Sequence, residues 1–329
     1  MSDQRDANSR RDAGDWRQTA MIRLAEHFHL LATGATQVPS QSIASPIRDQ
    51  IADPDVVAYH DAMVESAGSL FRHFAGSVPH VLDELARIGV ALSRIARRAP
   101  EGRIFSLLEV DAFDGTNART LARLSNGRIR TLTTSPNPAN RPHFDRDADR
   151  ASSRFFPESI FALDDEALST HAGTLFDDGF DWLYEMAAFQ FYTKDRVNQI
   201  AHVKRFLKPD GLAFFLEKLN QPDINEYDRR EHVKDDLFKS QYFTPEEIAW
   251  KRHQMLEQME NGQTTFDAFV TALHQHFEHV YLLWNSTNFY EFVASNAQDT
   301  IERFVAELGP INQPSVYCFE AARIGKRIC

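Results

Sequence analysis

Asp111 and Asp114 are separated by two residues in the stretch 107-LLEVDAFDGTNARTLARL-124, with Gly115, Thr116 and Asn117 following at once. Carboxylates at such a turn can serve acid–base or nucleophilic work. A glycine ahead of a helix start lets backbone N–H groups come close to a ligand. Further along, Glu185 closes one short apolar run and Tyr192 follows it, while Glu217 and Lys218 close another. Each pair suits contact with a cofactor or an acceptor, or else an ordinary strand-end charge. The stretch 284-WNSTNFYEF-292 sets Asn285, Asn288 and Tyr290 among aromatic rings. That composition fits either a pocket wall with few polar groups or a packed turn at a sheet edge. The cluster 274-HQHFEH-279 has metal-binding residue types but straddles a helix-to-strand boundary, so no metal is assigned.

Strands and helices must place these groups. The pattern predicts strands over 104–110, 128–134, 180–185 and 212–219, with helices over 117–125 and about 195–207. The segment 208-KPDG-211 reads as a type I turn. Strands alternating with helices imply crossover units and a mostly parallel sheet covered on both faces. Upstream, a helix is expected from Trp16 to Leu31, then a loop or mobile lid over 35–55. Two amphipathic helices follow, one through Met63, Leu70 and Phe74, the other through Val81, Leu85 and Ile95. Downstream, Thr244-Pro245-Glu246-Glu247 has the residues of a capping box, opening a helix that ends near Gly262, and another helix runs from about Thr265 to Phe277. Late strands near 279–285 and 315–323, with a helix near 297–308 between them, suit an antiparallel addition at one edge. The expected fold is thus α/β, a Rossmann-like doubly wound, mostly parallel sheet with an antiparallel edge strand and an N-terminal helical cap. Its parts are a mobile tail over 1–15, a cap or lid over 16–100, and the sheet domain over 101–329 with a helical insertion at about 221–278.

Composition narrows the partners. A net charge of −11 argues against general affinity for nucleic acid or anionic lipid. Two cysteines, Cys318 and Cys329, build no disulfide framework. Arg10-Arg11 is not followed by an apolar run, and no stretch approaches the roughly 18 apolar residues of a membrane span. The expectation is a cytoplasmic protein acting on a small molecule, with no nucleic acid and no membrane as partner. Its oligomeric state is open, and a homodimer is compatible with the sequence.

The strand, the loop EVDAFDG, the run FDWLYEMAAFQF, the helix DRVNQIAHVKRFLKPDG and the strand LAFFLEK together resemble the class I S-adenosylmethionine-dependent methyltransferases, over about residues 104–220. The resemblance aligns Glu109 with the acid that ends the family's first strand. It sets the glycines of G-x-G-x-G at Asp111, Phe113 and Gly115, of which only Gly115 is kept. It implies S-adenosyl-L-methionine as cofactor and methyl transfer to a small-molecule acceptor. The residues it sets around the cofactor are Glu109, Asp111, Asp114, Gly115, Thr116, Asn117, Thr133, Thr134 and Glu185. Asp164 and Asp165 take the place of the acid or amide that meets the adenine amine. Around the acceptor it sets Glu217 and Tyr192 as catalytic candidates and Lys218 as a binding candidate; Tyr227 and, from the composition of their stretch, Asn285, Asn288 and Tyr290 are further binding candidates.

The second strand ends Leu132-Thr133-Thr134-Ser135, without the family's ribose-binding carboxylate. Asp111 either meets the methionine amino group or points inward and needs a partner. A side chain at Gly115 is expected to block the cofactor while leaving the chain folded. These departures support a second reading: the same fold with methyl transfer lost, acting as a repurposed enzyme or a non-catalytic partner subunit. DAFDGT also resembles the D-x-D-G-T of haloacid-dehalogenase-like phosphatases. Its carboxylates are one position too far apart for that chemistry.

Overall fold

The computed structural model describes residues 16–259 and 262–328. The tail expected over 1–15 and the terminal Cys329 lie outside the described residues.

Seven strands form one sheet in the order β3-β2-β1-β4-β5-β7-β6. They are β1 (Phe105–Val110), β2 (Ile129–Thr134), β3 (Ser153–Phe156), β4 (Phe180–Met186), β5 (Leu207–Lys218), β6 (His279–Ser286) and β7 (Phe289–Ser295). The first five run parallel, and β7 joins β5 antiparallel. This is the doubly wound sheet with an antiparallel edge that the sequence predicts. Strand β1 reads as a nearly continuous apolar run because it lies mid-sheet, with Leu107 and Leu108 turned to opposite covered faces.

The helices that matter for the site are α1 (Ala25–Ala32), α2 (Pro54–Ser66), α3 (Ser69–Ala75), α4 (Val81–Arg98), α5 (Thr116–Leu124), α6 (Arg196–Lys204), α7 (Ile224–Leu237), α8 (Pro245–Met259) and α9 (Phe266–His274). Helices α2 and α4 share one core with the sheet residues Leu107, Tyr184, Phe214 and Trp284. The N-terminal hundred residues are therefore not all lid; much of them is the cover of one sheet face. Tyr59 of α2 packs against Gly89 of α4, where a Cβ would come within 2.3 Å of its ring. The opposite face is covered by α6 and α9 through Ile200, Val203, Phe269 and Leu273.

Several local expectations change. The helix expected over Trp16–Leu31 is broken into a short turn, Ala20–Arg23 and α1, and the helix through Met63 and Phe74 is interrupted at Ala67-Gly68. KPDG is not a turn between elements but a bulge inside β5: Leu207 pairs with Phe180, and pairing resumes at Leu212 with Trp182. No strand forms over 315–323, where Ser315–Tyr317 makes one 3-10 turn. The second late strand is β7 instead, drawn from the amide-rich stretch, and it makes a hairpin with β6. The capping box forms as expected: Thr244 N donates to Glu247 Oε2 at 2.9 Å and Glu247 N to Thr244 Oγ1 at 3.2 Å. Among the described residues no helix is long and apolar enough to cross a membrane.

Candidate functional site

The loop after β1 takes left-handed backbone at three alternate residues: φ is +49° at Asp111, +57° at Phe113 and +68° at Gly115. These are the positions of the three expected glycines. The backbone is left-handed at all three, although two of them carry side chains. Aspartate tolerates this region, but a phenylalanine in it is strained. Phe113 is held by packing, its ring 4.9 Å from Phe74.

Beyond the carboxyl ends of β1, β2, β4 and β5 lies a cleft. Its floor is Asp111, Phe113, Ser135, Asn137, Asn140, Met186, Gln190 and Phe289. The N-terminal helices close one side with Phe28, Leu31, Leu70 and Phe74, and α7 and α8 close the other. Such a crevice, where strands of a doubly wound sheet end, is where ligands bind in this architecture.

Asp111 lines the cleft, yet its carboxylate is spent inward, the second of its two expected arrangements. Oδ1 accepts from Thr134 Oγ1 at 2.8 Å and from the backbone N of Ile160 at 2.9 Å; Oδ2 accepts from Tyr192 Oη. Burial pushes its pKa from 3.8 up to about 6, against the pull of these donors. Glu109 lies one layer deeper, accepting from Asn117 Nδ2 at 3.0 Å and Thr133 Oγ1 at 3.3 Å, and burial raises it to about 8. Asp114 is pinned by Arg119 Nη2 and by Thr116 Oγ1 at 2.9 Å, and it accepts from Gly68 N at 3.1 Å. Gly115 does not face the cleft; a Cβ there would meet Thr133 Oγ1 at 2.5 Å.

Most other sequence-chosen residues also form the frame and not the wall. Glu185 Oε1 accepts from the backbone of Ala188 and Phe189, which fixes the loop that carries Met186 to Phe191 into the cleft. Burial, and then the nearby Glu217, push Glu185 well above the usual carboxylate range. Tyr192 is turned to Asp111 and to Ser159 Oγ at 2.7 Å. Glu217 faces away from the cleft, because side chains alternate along β5, and Arg196 grips it at 2.6 and 3.1 Å. Asp164 caps a helix by accepting from Ala167 N, and Asp165 is exposed; neither reaches the cleft. Of the acceptor candidates, Lys218 lines the cleft. Asn288 stands behind it, donating to Glu231 Oε1 at 3.0 Å and to the carbonyl of Tyr227 at 3.1 Å. Asn285 ties its own hairpin through the carbonyls of Thr287 and Phe289, and Tyr290 Oη meets Arg230 at 2.7 Å on the other sheet face. Among the described residues no group of three His, Cys, Asp or Glu side chains could hold a metal.

Sequence reasoning missed the segment 135-SPNPAN-140. Asn137 Oδ1 caps its own turn through Ala139 N, and Asn140 Nδ2 donates to Ser135 Oγ at 3.0 Å. That leaves Asn137 Nδ2, Asn140 Oδ1 and Gln190 Oε1 buried at the cleft without a hydrogen-bond partner among the described residues. Buried polar groups are normally paired, so three orphans on one wall point to a polar ligand. Two prolines and two asparagines just after a strand were the available signal.

No family model and no curated protein matches the chain. Among solved structures it is similar to the plantazolicin methyltransferase BpumL in complex with SAH, with 10% identity, covering 84% of this chain and 97% of that one, at a TM-score of 0.45. It is also similar to the mitomycin 7-O-methyltransferase MmcR (11% identity, 86% and 69% covered, TM-score 0.41). A third is the cyclopropane synthase MmaA2 from Mycobacterium tuberculosis (12% identity, 91% and 82% covered, TM-score 0.41).

Proposed function

We propose that the protein is an S-adenosylmethionine-dependent methyltransferase acting on a small molecule. The observation that carries this reading is the loop after β1, left-handed at residues 111, 113 and 115 and opening on a cleft with orphaned amides at the ends of β2 and β4. The residues present fit the cofactor: Asn137, Asn140 and Gln190 offer a donor and acceptors for its polar groups, and Phe113, Met186 and Phe289 offer an apolar bed. When bound, that cofactor supplies an activated methyl group for in-line displacement. The chain's part is to align the acceptor and exclude water, for which the apolar walls of Phe28, Leu31, Leu70 and Phe74 are suited.

A second reading, the same fold without methyl transfer, is favoured by one observation. Asp111 occupies the backbone N–H of Ile160 just past β3, and no described residue between 141 and 185 lines the cleft. The test is calorimetric titration of the stripped protein with S-adenosylmethionine and S-adenosylhomocysteine. Micromolar binding, about −8 kcal/mol, is the expected result. Absence of binding by either ligand overturns the methyl-transfer reading and puts the second in its place.

A further inference from the structure

On the α7–α8 side of the cleft, five cationic side chains crowd two carboxylates. Lys218 comes from the end of β5, Lys234 from α7, Lys239 from just beyond it, and Lys251 and Arg252 from α8. Lys218, Lys234 and Lys239 are 4%, 6% and 3% exposed. Glu231 and Asp235 answer four of them. Glu231 takes Lys218 at 2.9 Å and Lys234; Asp235 takes Lys239 at 3.1 Å and Arg252 at 3.2 Å.

Lys251 differs. Its Nζ meets His73 Nε2 and donates to Ser77 Oγ at 2.7 Å, and among the described residues no carboxylate stands within ion-pair distance. His73 donates from Nδ1 to the carbonyl of Gln37, so the ring nitrogen facing Lys251 is an acceptor. The groups around Lys251 are His27 and His73 from the N-terminal helices, Lys218 from β5, Lys234 and Asp235 from α7, then Lys239 and the adjacent Arg252. Burial, then Lys239 and Lys234, hold the Lys251 ammonium well below the usual lysine range; burial and Lys234 bring Lys239 down to about 8. Burial pushes Glu231 up, but Lys218 and Lys234 more than reverse it.

In a chain of net charge −11, a cationic wall inside a cleft does not follow from composition. A partly buried cation without a counter-charge is unfavourable until one arrives. We propose that the second ligand of this cleft carries an anionic group, a phosphate or a carboxylate, seated against Lys251, Lys239 and Arg252. On the methyl-transfer reading that ligand is the acceptor, and only its role as acceptor rests on that reading.

The experiment is calorimetric titration of the full chain at pH 8 and fixed ionic strength. The probes are inorganic phosphate and malonate, each in two buffers of different ionisation enthalpy, with S-adenosylhomocysteine titrated in parallel. At least one anion binds at millimolar strength or better and takes up a proton, because it restores charge to the lysines; the tighter of the two tells phosphate from carboxylate. Lys251→Met and Lys239→Met each weaken that binding tenfold or more and leave the affinity for S-adenosylhomocysteine unchanged. Lys251→Met also raises the melting temperature of the ligand-free protein. The exposed Lys326→Met changes nothing. If neither anion binds the wild type, or binding comes without proton uptake, the proposal is overturned whether or not the variants fold. It is equally overturned if folded Lys251→Met and Lys239→Met bind as the wild type does. Anion binding without any binding of S-adenosylhomocysteine leaves the anion seat standing and removes the methyl-transfer reading alone.

Discussion

Asp111 accepts a hydrogen bond from Tyr192 across 81 residues of sequence, and this bond joins the loop after β1 to the segment after β4. Through Ile160 and Thr134 the same carboxylate also holds the ends of β3 and β2. One side chain therefore ties together loops from four strands.

That carboxyl keeps its proton to about pH 6 in the fold, whereas the unfolded chain releases it near 3.8. A group with a raised folded pKa contributes stability below its unfolded value and loses it as pH rises through the folded one. A shift of about two units corresponds to roughly 3 kcal/mol. Asp111→Asn cannot ionise, so its stability should fall less steeply than the wild type's between about pH 4 and 6. Denaturant melts across that range check this, and parallel slopes would remove Asp111 as the cause.

Glu217 was attractive as a catalytic carboxylate and is instead half of a buried pair with Arg196, which also donates to the carbonyl of Gly262 at 3.0 Å. Glu217→Gln leaves the guanidinium without its counter-charge. The expected cost is about 3–5 kcal/mol in chemical denaturation. Binding of S-adenosylhomocysteine to the remaining folded fraction should be unaltered. A variant as stable as the wild type but inactive would return Glu217 to catalysis.

Gly115→Ala places a Cβ against Thr133 at a φ of +68°. The penalty falls on folding and not on ligand approach, at least about 2 kcal/mol from backbone strain and the close contact. Thermal melts should show a clear drop, while the affinity of folded protein for S-adenosylhomocysteine stays within a factor of three.

Asn137→Ser keeps an oxygen to cap the turn at Ala139 and deletes the unpartnered amide nitrogen. Loss of one ligand hydrogen bond is worth about 0.5–1.5 kcal/mol, so S-adenosylhomocysteine should bind roughly three- to tenfold more weakly. The melting temperature of the free protein should hold. Unchanged affinity would place the ligand elsewhere in the cleft.

The loop was legible because its spacing imposes one backbone path, and Asp111 and Phe113 follow it without being glycine. The parallel core was legible because strands such as LLEV are apolar on both faces. The edge hairpin was not. Asn285 and Asn288 look like pocket or turn residues, and their amides in fact satisfy backbone and Glu231 around the hairpin turn. The stretch 315-SVYCFEAAR-323 has strand-like residues, but β7 had already taken the place beside β5. The cationic wall was least legible. Nothing in 231-EHVKDDLFK-239 marks its lysines as buried, and only the fold brings Lys234 and Lys239 under cover.

The floor of the cleft and its cationic side come from different parts of the chain. The loops after β1, β2 and β4 supply Phe113, Asn137 and Gln190, while the insertion between β5 and β6 supplies every cation of the wall except Lys218. The insertion leaves the sheet at Lys218 and returns at His279, with its second helix started by its own capping box. Its first two helices, α7 and α8, with the turn between them, carry the cations, while its third, α9, covers a sheet face. Redesigning α7 and α8 alone would change what the cleft selects and leave the parallel strands covered.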